Sequence, residues 1–324
     1  MKKILIAGGG GFIGGHLATR LINLGYSVRC ADIKPKDEWY QVSNKVDNII
    51  LDLEDKINCE KATDGVDEVI NLACNMGGMG FIENNRALCM LSVLVNTHLL
   101  MACKKNNVKK YFFSSSACAY NTQLQKDPSI NGLKETDAYP AMPEDGYGWE
   151  KLFSERMCRH FTEDYGIDTK VARFHNIYGP MGTYDGGREK APAAICRKIA
   201  IAKMKNEEII DVWGDGKQTR SFLYIDDCID AVVQLFNSNI NDPINIGSEE
   251  QVSINEMIQY VEEISGHKVE KNYQLDKPKG VRGRSSDNTL IEKKLGWKPK
   301  YSLKQGLEKT YHWILEEITK SSKI

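Results

Sequence analysis

A tyrosine and a lysine stand four residues apart at Tyr147 and Lys151, in a stretch whose pattern predicts a helix over Tyr147–Asp164. Side chains at that spacing share one face of a helix. An ammonium beside a phenol lowers the pKa of the phenol from about 10, so the tyrosine could accept a proton from a substrate hydroxyl while a hydride leaves the same carbon. Ser116, at the end of a predicted strand, could hydrogen-bond that oxygen or simply cap a turn. A tyrosine and a lysine at this spacing also occur by chance on helix surfaces, so they indicate a catalytic pair only together with the motifs around them.

Four glycines, Gly8–Gly11, separate the first predicted strand, Lys3–Ala7, from the first predicted helix, Phe12–Leu24, and Gly14 lies in the first turn of that helix. Glycine lets a phosphate approach backbone N–H groups that a Cβ would shield, and the helix N-terminus adds unpaired donors and the positive end of a dipole. In this strand–turn–helix context, the spacing G-x-x-G-x-x-G predicts a dinucleotide site. The residues expected to contact the cofactor there are Gly8, Gly11, Phe12, Ile13 and Gly14.

Asp32 ends the second predicted strand, where a carboxylate can bind the ribose hydroxyls of a dinucleotide and repel a 2′-phosphate. This position favours NAD over NADP, although an aspartate at a strand end can also be a plain surface residue. Arg29 and Lys34 are nearby cations that could pair with a 2′-phosphate, so NADP is not excluded as the cofactor. Asp52 and Leu53, after the third predicted strand, are expected to meet the adenine side of the cofactor.

The first half of the chain alternates short β-rich runs with helical patterns, which predicts a doubly wound parallel sheet of the Rossmann type. The first run is apolar without alternation, as in strands buried on both faces of a sheet. The predicted strands are Lys3–Ala7, Ser27–Asp32, Asn48–Leu51, Glu68–Leu72, Lys109–Ser115 and Thr169–Phe174. The predicted helices are Phe12–Leu24, Asn84–Asn106 and Tyr147–Asp164.

The second half begins with a segment rich in glycine and proline over 175–192, which predicts a long functional loop. We expect an NAD-binding domain over 1–174, rejoined by about 218–246, and a smaller mixed α/β substrate lobe over 175–324. Predicted strands follow at Ile209–Trp213, Phe222–Tyr224 and Ile244–Ile246. Predicted helices are Ala193–Lys203, Asp226–Phe236, Ile254–Ser265, Thr289–Leu295 and Ser302–Thr319.

Composition restricts the partners of the protein. The 324 residues carry 43 Lys and Arg against 44 Asp and Glu, a net charge of −1, which argues against a nucleic-acid coat or a polybasic membrane-surface protein. No run approaches the roughly 18 apolar residues of a membrane span, so no membrane contact is expected. Nine scattered cysteines without a C-x-x-C pair suit reduced thiols in a cytoplasmic protein. The six histidines show no ligand spacing, so no metal is assigned.

The glycine turn, Ser116, Tyr147 and Lys151 together resemble the extended short-chain dehydrogenase/reductase superfamily, whose members often act on nucleotide sugars. Narrower motifs extend the resemblance from residue 3 to residue 315, and within the superfamily the chain looks like the GDP-mannose 3,5-epimerases. Those motifs are Ser115–Cys118, Met76–Phe81, Phe174–Pro180, Gly187–Pro192, Trp213–Gly216, Gln218–Phe222 and Gly280–Arg284.

That resemblance implies an NAD-dependent isomerase that converts GDP-D-mannose to GDP-L-galactose, with GDP-L-gulose formed when only C5 is inverted. It implies that Tyr147 and Lys151 serve oxidation at C4, that Ser116 steadies the C4 oxygen, and that Cys118 and Lys190 are the base and acid at C3 and C5. We expect the Cys118 thiol, with a reference pKa of about 8.5, to titrate near neutrality beside a cation. We expect burial to lower the pKa of Lys190.

The resemblance also implies a GDP-sugar site and a homodimer formed through the helices around Asn84–Asn106 and Tyr147–Asp164. The residues implied at the sugar nucleotide are Gly78, Ser116, Cys118, Asn176, Glu189, Lys190, Lys198, Gln218, Arg220 and Arg284, with Lys198 and Arg284 plausible for the diphosphate. Two other functions stay open: a nucleotide-sugar 4-epimerase or 4,6-dehydratase on the same scaffold, and a non-catalytic NAD-binding regulator.

Overall fold

The computed structural model describes residues 2–129, 131–277 and 280–321, with the side chain of residue 321 left out. The strands are β1 (Lys3–Ala7), β2 (Ser27–Asp32), β3 (Asp47–Ile50), β4 (Glu68–Asn71), β5 (Lys110–Ser116), β6 (Asp168–Phe174), β7 (Ile177–Tyr178), β8 (Ile209–Trp213), β9 (Thr219–Ser221), β10 (Leu223–Tyr224), β11 (Ile244–Ile246), β12 (Gln251–Ser253), β13 (Glu270–Gln274) and β14 (Gly283–Arg284). The helices are α1 (Phe12–Asn23), α2 (Lys56–Thr63), α3 (Met79–Asn84), α4 (Arg86–Lys105), α5 (Tyr147–Tyr165), α6 (Ala191–Lys205), α7 (Ile225–Phe236), α8 (Ile254–Ser265), α9 (Thr289–Leu295) and α10 (Leu303–Ser321).

Seven of these strands form one parallel sheet in the order β11-β6-β5-β4-β1-β2-β3. The order reverses between β1 and β4, and the crevice at the carboxyl ends of strands beside such a reversal is where open α/β sheets bind ligands. The glycine turn follows β1, and the segment around Ala73 follows β4. The two segments touch, because a Cβ on Gly8 would lie 2.9 Å from the Ala73 backbone nitrogen. The predicted doubly wound Rossmann-like fold is confirmed.

The apolar run of β1 explains the two layers of helices. Ile4 and Ile6 point to one core and Leu5 and Ala7 to the other, so all four are fully buried. Helices α1 and α7 cover the first face, and α2, α4 and α5 cover the second. The first core continues into α6, α8 and α10, so the helices of the second half share one hydrophobic cluster with the sheet. Because close-packed interiors resist deformation, this shared core fixes the second half of the chain against the sheet.

The chain returns to the large sheet after leaving it at Phe174. Strand β11 pairs in parallel with β6, with Ile244 opposite Ala172 and Ile246 opposite Phe174. In the chain, helix α7 directly precedes this strand. The remaining strands form three small sheets: β10-β7, β12-β9-β14 and β13-β8.

Sequence patterns missed the shortest elements. Strands β7, β9, β12 and β14 have two or three residues, too few for an alternation to be detected, and β13 and α2 were also not predicted. Helix α3 was not predicted either; it begins at Met79, directly after Gly78, inside the motif Met76–Phe81. The helix predicted over Asn84–Asn106 begins at Arg86, because the backbone at Asn85 leaves the helical region.

Helix α4 corrects the expectation that no segment could cross a membrane. By length and composition alone it could span a bilayer, as core helices of globular proteins also can, and 44% of its most apolar window is buried. Two of its polar residues, Ser92 and Asn96, are buried: Asn75 N–H donates to Ser92 Oγ (2.8 Å) and Tyr111 Oη donates to Asn96 Oδ1 (2.8 Å). In this fold α4 is a covering helix of the sheet.

Candidate active site

The glycine turn leaves an open cradle at the start of α1. Gly8 has a φ of +82°, which favours glycine, and a Cβ on Gly14 would overlap the Gly8 carbonyl oxygen. Gly11 N–H donates to that oxygen at 3.0 Å. A Cβ on Gly11 would meet only the same oxygen within 4 Å, so the space before Phe12 and Ile13 is free for a phosphate.

Asp32 is buried at the end of β2 and faces this turn. Its Oδ2 accepts the Gly10 N–H (3.0 Å) and its Oδ1 accepts the Lys34 N–H (3.1 Å), so the carboxylate is held rigidly beside the cradle. The nearby cation Arg29 is turned away, because its Nε donates to Asp47 Oδ2 at 2.8 Å and its Nη1 to the Ala62 carbonyl at 3.0 Å.

Asp52 and Leu53, predicted to meet the adenine side of the cofactor, have ordinary surroundings. Asp52 is exposed, and its Oδ1 accepts the Glu54 N–H at 2.9 Å, as in an ordinary turn. The Leu53 side chain is buried in the second hydrophobic core, so contact with a cofactor is left to its backbone.

Tyr147 and Lys151 lie one turn apart at the start of α5, directly after Gly146, whose φ is +67°. Both are buried. The Lys151 ammonium is 5.3 Å from the centroid of the Tyr147 ring and 4.8 Å from that of Phe113. Ser116, the last residue of β5, hydrogen-bonds the Tyr147 side chain, and its Oγ accepts the Cys118 N–H at 3.2 Å. The structure therefore brings the three predicted oxidation residues together.

The predicted electrostatics of this pair are wrong. Burial raises the pKa of Tyr147 well above its usual value, and the neighbouring Cys74 and Cys118 raise it further. Burial acts to lower the pKa of Lys151, but Cys74 and Glu150 outweigh it and the net pKa is raised. Glu150 Oε2 lies 3.3 Å from the Lys151 ammonium, so much of that charge is already neutralised inside the protein.

Cys118 is held in a tight turn between β5 and α5. A Cβ on Gly148 would overlap its carbonyl oxygen, and the same oxygen accepts the Glu144 N–H at 3.0 Å. Arg284 Nη1 donates to its sulfur at 3.5 Å. The expectation of a thiol titrating near neutrality is wrong, because burial and the Glu144 carboxylate raise its pKa to about 11 against the opposing effect of Arg284.

Lys190 immediately precedes α6 and belongs to a loop that contacts Gly78. The Gly78 N–H donates to the Arg188 carbonyl at 3.1 Å, and a Cβ on Gly78 would lie 2.6 Å from the Glu189 carbonyl oxygen. Burial lowers the pKa of Lys190, as predicted, although negative charge on Cys118 or Cys74 would oppose this. The ammonium is thus within electrostatic reach of the Cys118 thiol.

Three further predicted substrate residues, Arg220, Gln218 and Asn176, have polar side chains with the following surroundings. Arg220 is half-buried, and its pKa is lowered to about 10 by desolvation and by the charge of Arg284. Gln218 Nε2 donates to the Trp213 carbonyl at 3.1 Å, but its Oε1 is buried without a partner. The Asn176 amide donates to the Ser221 carbonyl at 3.0 Å. An orphaned buried oxygen and two adjacent guanidinium groups suit a polar, anionic ligand.

Two predicted substrate residues are engaged elsewhere. The Glu189 carboxylate accepts the Gly187 N–H at 2.7 Å and pairs with Arg197 at 3.2 Å, so it braces its own loop. Lys198 donates to the Asp211 carbonyl at 2.6 Å, while Arg284, assigned with it to the diphosphate, lies at the thiol. Any ligand contact of Lys198 needs this hydrogen bond to be exchanged.

Sequence reasoning missed Glu144, Glu150 and Cys74, although each lies against a predicted site residue. The only available signal was proximity in the chain, because Glu144 precedes Tyr147 by three residues and Glu150 precedes Lys151. Carboxylates are usually solvated, and their burial depends on contacts that no local pattern encodes. Among the residues described, no cluster of histidine, cysteine, aspartate and glutamate is arranged to hold a metal ion.

Comparison with known proteins identifies the group to which this site belongs. The model described as "NAD dependent epimerase/dehydratase family" matches residues 4–247. The chain belongs to this family. The prediction of NAD as the cofactor is therefore confirmed, and the open cradle before Phe12 and the buried carboxylate of Asp32 fit that cofactor.

Two curated relatives in this epimerase family resemble the chain along nearly its whole length. GDP-mannose 3,5-epimerase 1 from Oryza sativa subsp. japonica and GDP-mannose 3,5-epimerase from Arabidopsis thaliana are each 46% identical to it over 98% of this chain and 83% of theirs. The resemblance to 3,5-epimerases noted in the sequence is confirmed.

Solved structures agree in fold. A UDP-glucose 4-epimerase from Thermotoga maritima, crystallised with UDP-glucose, has a TM-score of 0.87 at 26% identity, covering 98% of this chain and 99% of its own. A UDP-glucuronic acid 4-epimerase from Bacillus cereus, solved with UDP-glucuronic acid and NAD, has a TM-score of 0.80 at 27% identity, covering 97% and 99%.

Proposed function

We propose that this protein is an NAD-dependent isomerase that inverts C5 and C3 of GDP-D-mannose to form GDP-L-galactose, releasing some GDP-L-gulose after inversion at C5 alone. The observation that carries the proposal is that Cys118 packs in one buried cluster with Tyr147 and lies within electrostatic reach of the half-buried amine of Lys190. The 46% identity to proteins named GDP-mannose 3,5-epimerase supports the choice of substrate.

The chemistry explains why both groups are needed. A C–H at C3 or C5 of a hexose is not acidic, but a ketone at C4 makes both carbons acidic because the resulting carbanion is an enolate. NAD supplies the hydride acceptor for this oxidation and returns the hydride at the end, so there is no net redox change. Tyr147 must first lose its own phenolic proton, because its pKa is raised, and as a phenolate it then accepts the proton of the C4 hydroxyl. Ser116 holds that oxygen.

Inversion then needs a base on one face of the ring and an acid on the other. We assign the base to Cys118 and the acid to Lys190. Each such proton transfer accelerates a reaction by about 10²- to 10⁴-fold. Burial favours proton donation by Lys190, because it lowers the pKa of the ammonium. Cys118 starts as a neutral thiol, with its pKa raised to about 11 by burial and Glu144, so it must lose a proton before it can accept one from carbon.

The test is incubation with GDP-mannose and NAD in deuterated water, followed by identification of the sugars. We expect deuterium at C5 of both products and at C3 of GDP-L-galactose. A nucleotide-sugar 4-epimerase would place no solvent deuterium at either carbon, and a 4,6-dehydratase would give a 4-keto-6-deoxy sugar. Tight NAD binding without turnover of any nucleotide hexose would instead support a non-catalytic regulator.

For domain roles, we propose that residues 1–174, with the returning segment 218–246, bind NAD, and that the lobe within 175–324 binds the GDP-sugar. The pairing of β11 with β6 supports the return of the chain to the NAD-binding sheet. For localisation, we propose the cytoplasm. All nine cysteines are free, which suits a reducing compartment, and cell fractionation tests this.

We further propose a homodimer formed by α4 and α5. These adjacent helices expose large apolar side chains to solvent, among them Met90, Leu91, Met101, Trp149 and Phe153, the last of them 55% exposed. Such a patch on two packed helices suits a four-helix interface with a second copy. Sedimentation should give a dimer for the native protein and a monomer for Phe153→Glu, whereas Tyr165→Glu, near the end of the same helix, should remain dimeric.

A further inference from the structure

Glu144 is a buried carboxylate that the proposed reaction leaves without a role, although it contacts the Cys118 side chain. Its own N–H donates to the Cys118 carbonyl at 3.0 Å, which fixes the two residues side by side. The thiol hydrogen-bonds the Glu144 carboxylate. Arg284 spans both groups, with Nη2 3.0 Å from Glu144 Oε1 and Nη1 3.4 Å from Oε2 and 3.5 Å from the sulfur.

Glu144 also reaches the solvent. It lines a surface cleft of about 680 Å³ between α3, the segment after Cys118 and the loop before β14. Its lining includes the charged residues Glu83, Arg86, Asp145 and Arg282. A single carboxylate therefore touches the thiol on one side and a water-accessible cleft on the other, while Cys118 itself is not part of that lining.

Two successive inversions create a need for such a connection. In the chair of D-mannose the hydrogens on C3 and C5 are axial on the same face, so one base faces both carbons. After the first inversion Cys118 carries the proton taken from carbon and Lys190 has given one away. The second inversion requires Cys118 to lose that proton and Lys190 to regain one, and neither exchange can use the substrate.

We propose that Glu144 is a positioning residue through which the Cys118 thiol exchanges its proton with water in the cleft, an inference that rests on the proposed 3,5-epimerisation. The S–H bond breaks and an O–H bond forms on Glu144, leaving a thiolate. The thiolate takes the proton from C5 or C3, and the C–H electron pair passes to the C4 carbonyl oxygen as an enolate. Glu144 releases its proton to water, Lys190 protonates the opposite face, and Lys190 recovers a proton from water.

Arg284 lies against both partners of this exchange and lowers the pKa of each. The pKa of Glu144 is lowered overall, so Glu144 holds the proton only transiently before it passes to water. The Arg284 guanidinium is within 3.5 Å of the sulfur and 3.0 Å of the carboxylate, so the negative charge keeps a cationic partner whichever group holds it. Other titratable groups near the thiol are Tyr147, Lys190 and Arg220. None of them is a carboxylate, which leaves Glu144 as the acceptor that the geometry provides.

The test compares Glu144→Gln, which keeps the size and removes the charge, with Asp145→Asn, a change at an exposed carboxylate of the same cleft. In deuterated water with GDP-mannose, Glu144→Gln should raise the ratio of GDP-L-gulose to GDP-L-galactose by about tenfold or more, because the thiol is not reset between inversions. Asp145→Asn should leave the ratio unchanged. Loss of packing alone would slow both inversions without changing their ratio, so an unchanged ratio in Glu144→Gln overturns the proposal.

A second measurement does not depend on turnover. The rate of alkylation of Cys118 against pH, followed by mass spectrometry of its peptide, reports the thiol titration, and Glu144→Gln should move the midpoint to lower pH. A midpoint that does not move overturns the thiol–carboxylate contact. If the native protein inverts neither C3 nor C5, the proposed function is overturned together with the role of Glu144. If the native protein forms both products and Glu144→Gln forms them in the same ratio, only the role of Glu144 is overturned.

Discussion

The two lysines of the active site, Lys151 and Lys190, illustrate how differently two parts of one cleft treat the same side chain. Lys151 lies in the oxidation region with Tyr147, has Glu150 3.3 Å away, and has a raised pKa. Lys190 lies in the proton-transfer region with Cys118, has no ion-pair partner among the residues that the structure describes, and has a lowered pKa. Burial acts to lower the pKa of both lysines, so the difference comes from the neighbours of Lys151, Cys74 first and then Glu150.

This difference matches the work proposed for each region. A lysine that stays charged can hold a ligand and a tyrosine in place throughout the cycle, whereas a lysine that loses its proton readily can act as an acid. Substitutions in the two regions should therefore fail in different ways, and the following expectations start with the largest effect.

Tyr147→Phe should reduce formation of both inverted sugars by about 10⁴-fold, because the C4 hydroxyl then has no proton acceptor and neither carbon becomes acidic. Deuterium exchange at C5 should fall together with product formation. Thermal unfolding of the variant serves as the control for folding. Substantial deuterium at C5 in this variant would mean that exchange does not depend on oxidation at C4.

Cys118→Ser should reduce inversion at C3 and C5 by about 10²- to 10⁴-fold. It should leave NAD binding intact, because the contacts of the sulfur are with Arg284 and Glu144 and not with residues of the glycine turn. Deuterium content of the sugar and calorimetric NAD affinity measure the two effects separately. Near-normal exchange at C5 would show that the base is another group. Joint loss of exchange and NAD affinity would show that the two regions are not independent.

Lys151→Met should lower the free energy of unfolding by about 3–5 kcal/mol, because it leaves the Glu150 carboxylate buried without its partner. The pKa of Lys151 is raised, so its stabilisation is complete below 10.5 and disappears as pH rises through the folded pKa. Denaturant unfolding at pH 7 and at higher pH measures this, and the deficit of the variant should shrink at the higher pH.

Lys190→Met should also reduce inversion, but it should raise stability at neutral pH. The pKa of Lys190 is lowered, so the unfolded chain binds the proton more tightly and stability rises as pH increases from the lowered pKa towards 10.5. Removing the ammonium removes that penalty. A destabilised Lys190→Met would show that the amine has a carboxylate partner in solution and that the contrast between the lysines is mistaken.

Asp32→Asn should have the smallest effect, and that effect should be limited to the affinity for NAD. Loss of a charged hydrogen-bond acceptor contributes about 1.5–3 kcal/mol, or roughly 10- to 150-fold in the Kd for NAD. Asp52→Asn is the matched control, since that carboxylate is exposed and bonded only within its turn. Equal effects of the two substitutions would show that the ribose contact is not made by Asp32.

Residues close together in the chain account for most of what could be predicted. The turn Gly8–Gly14, the strand before it and the helix after it are neighbours, and Tyr147 and Lys151 are one helical turn apart, so their geometry follows from local backbone rules. Pairs such as Glu144 with Arg284 are 140 residues apart. The burial that moves the pKa of Cys118 in the direction opposite to the prediction also depends on several distant segments.

The amino-acid sequence by itself determined the Rossmann-like sheet, the glycine cradle and the types of reactive side chain, because apolar periodicity, glycine spacing and residue chemistry are local properties. Only the tertiary structure decided which of those groups are charged. A pKa depends on burial and on the carboxylates and guanidinium groups within a few ångströms, and here Glu144, Glu150 and Arg284 reach the site through packing that no sequence pattern describes.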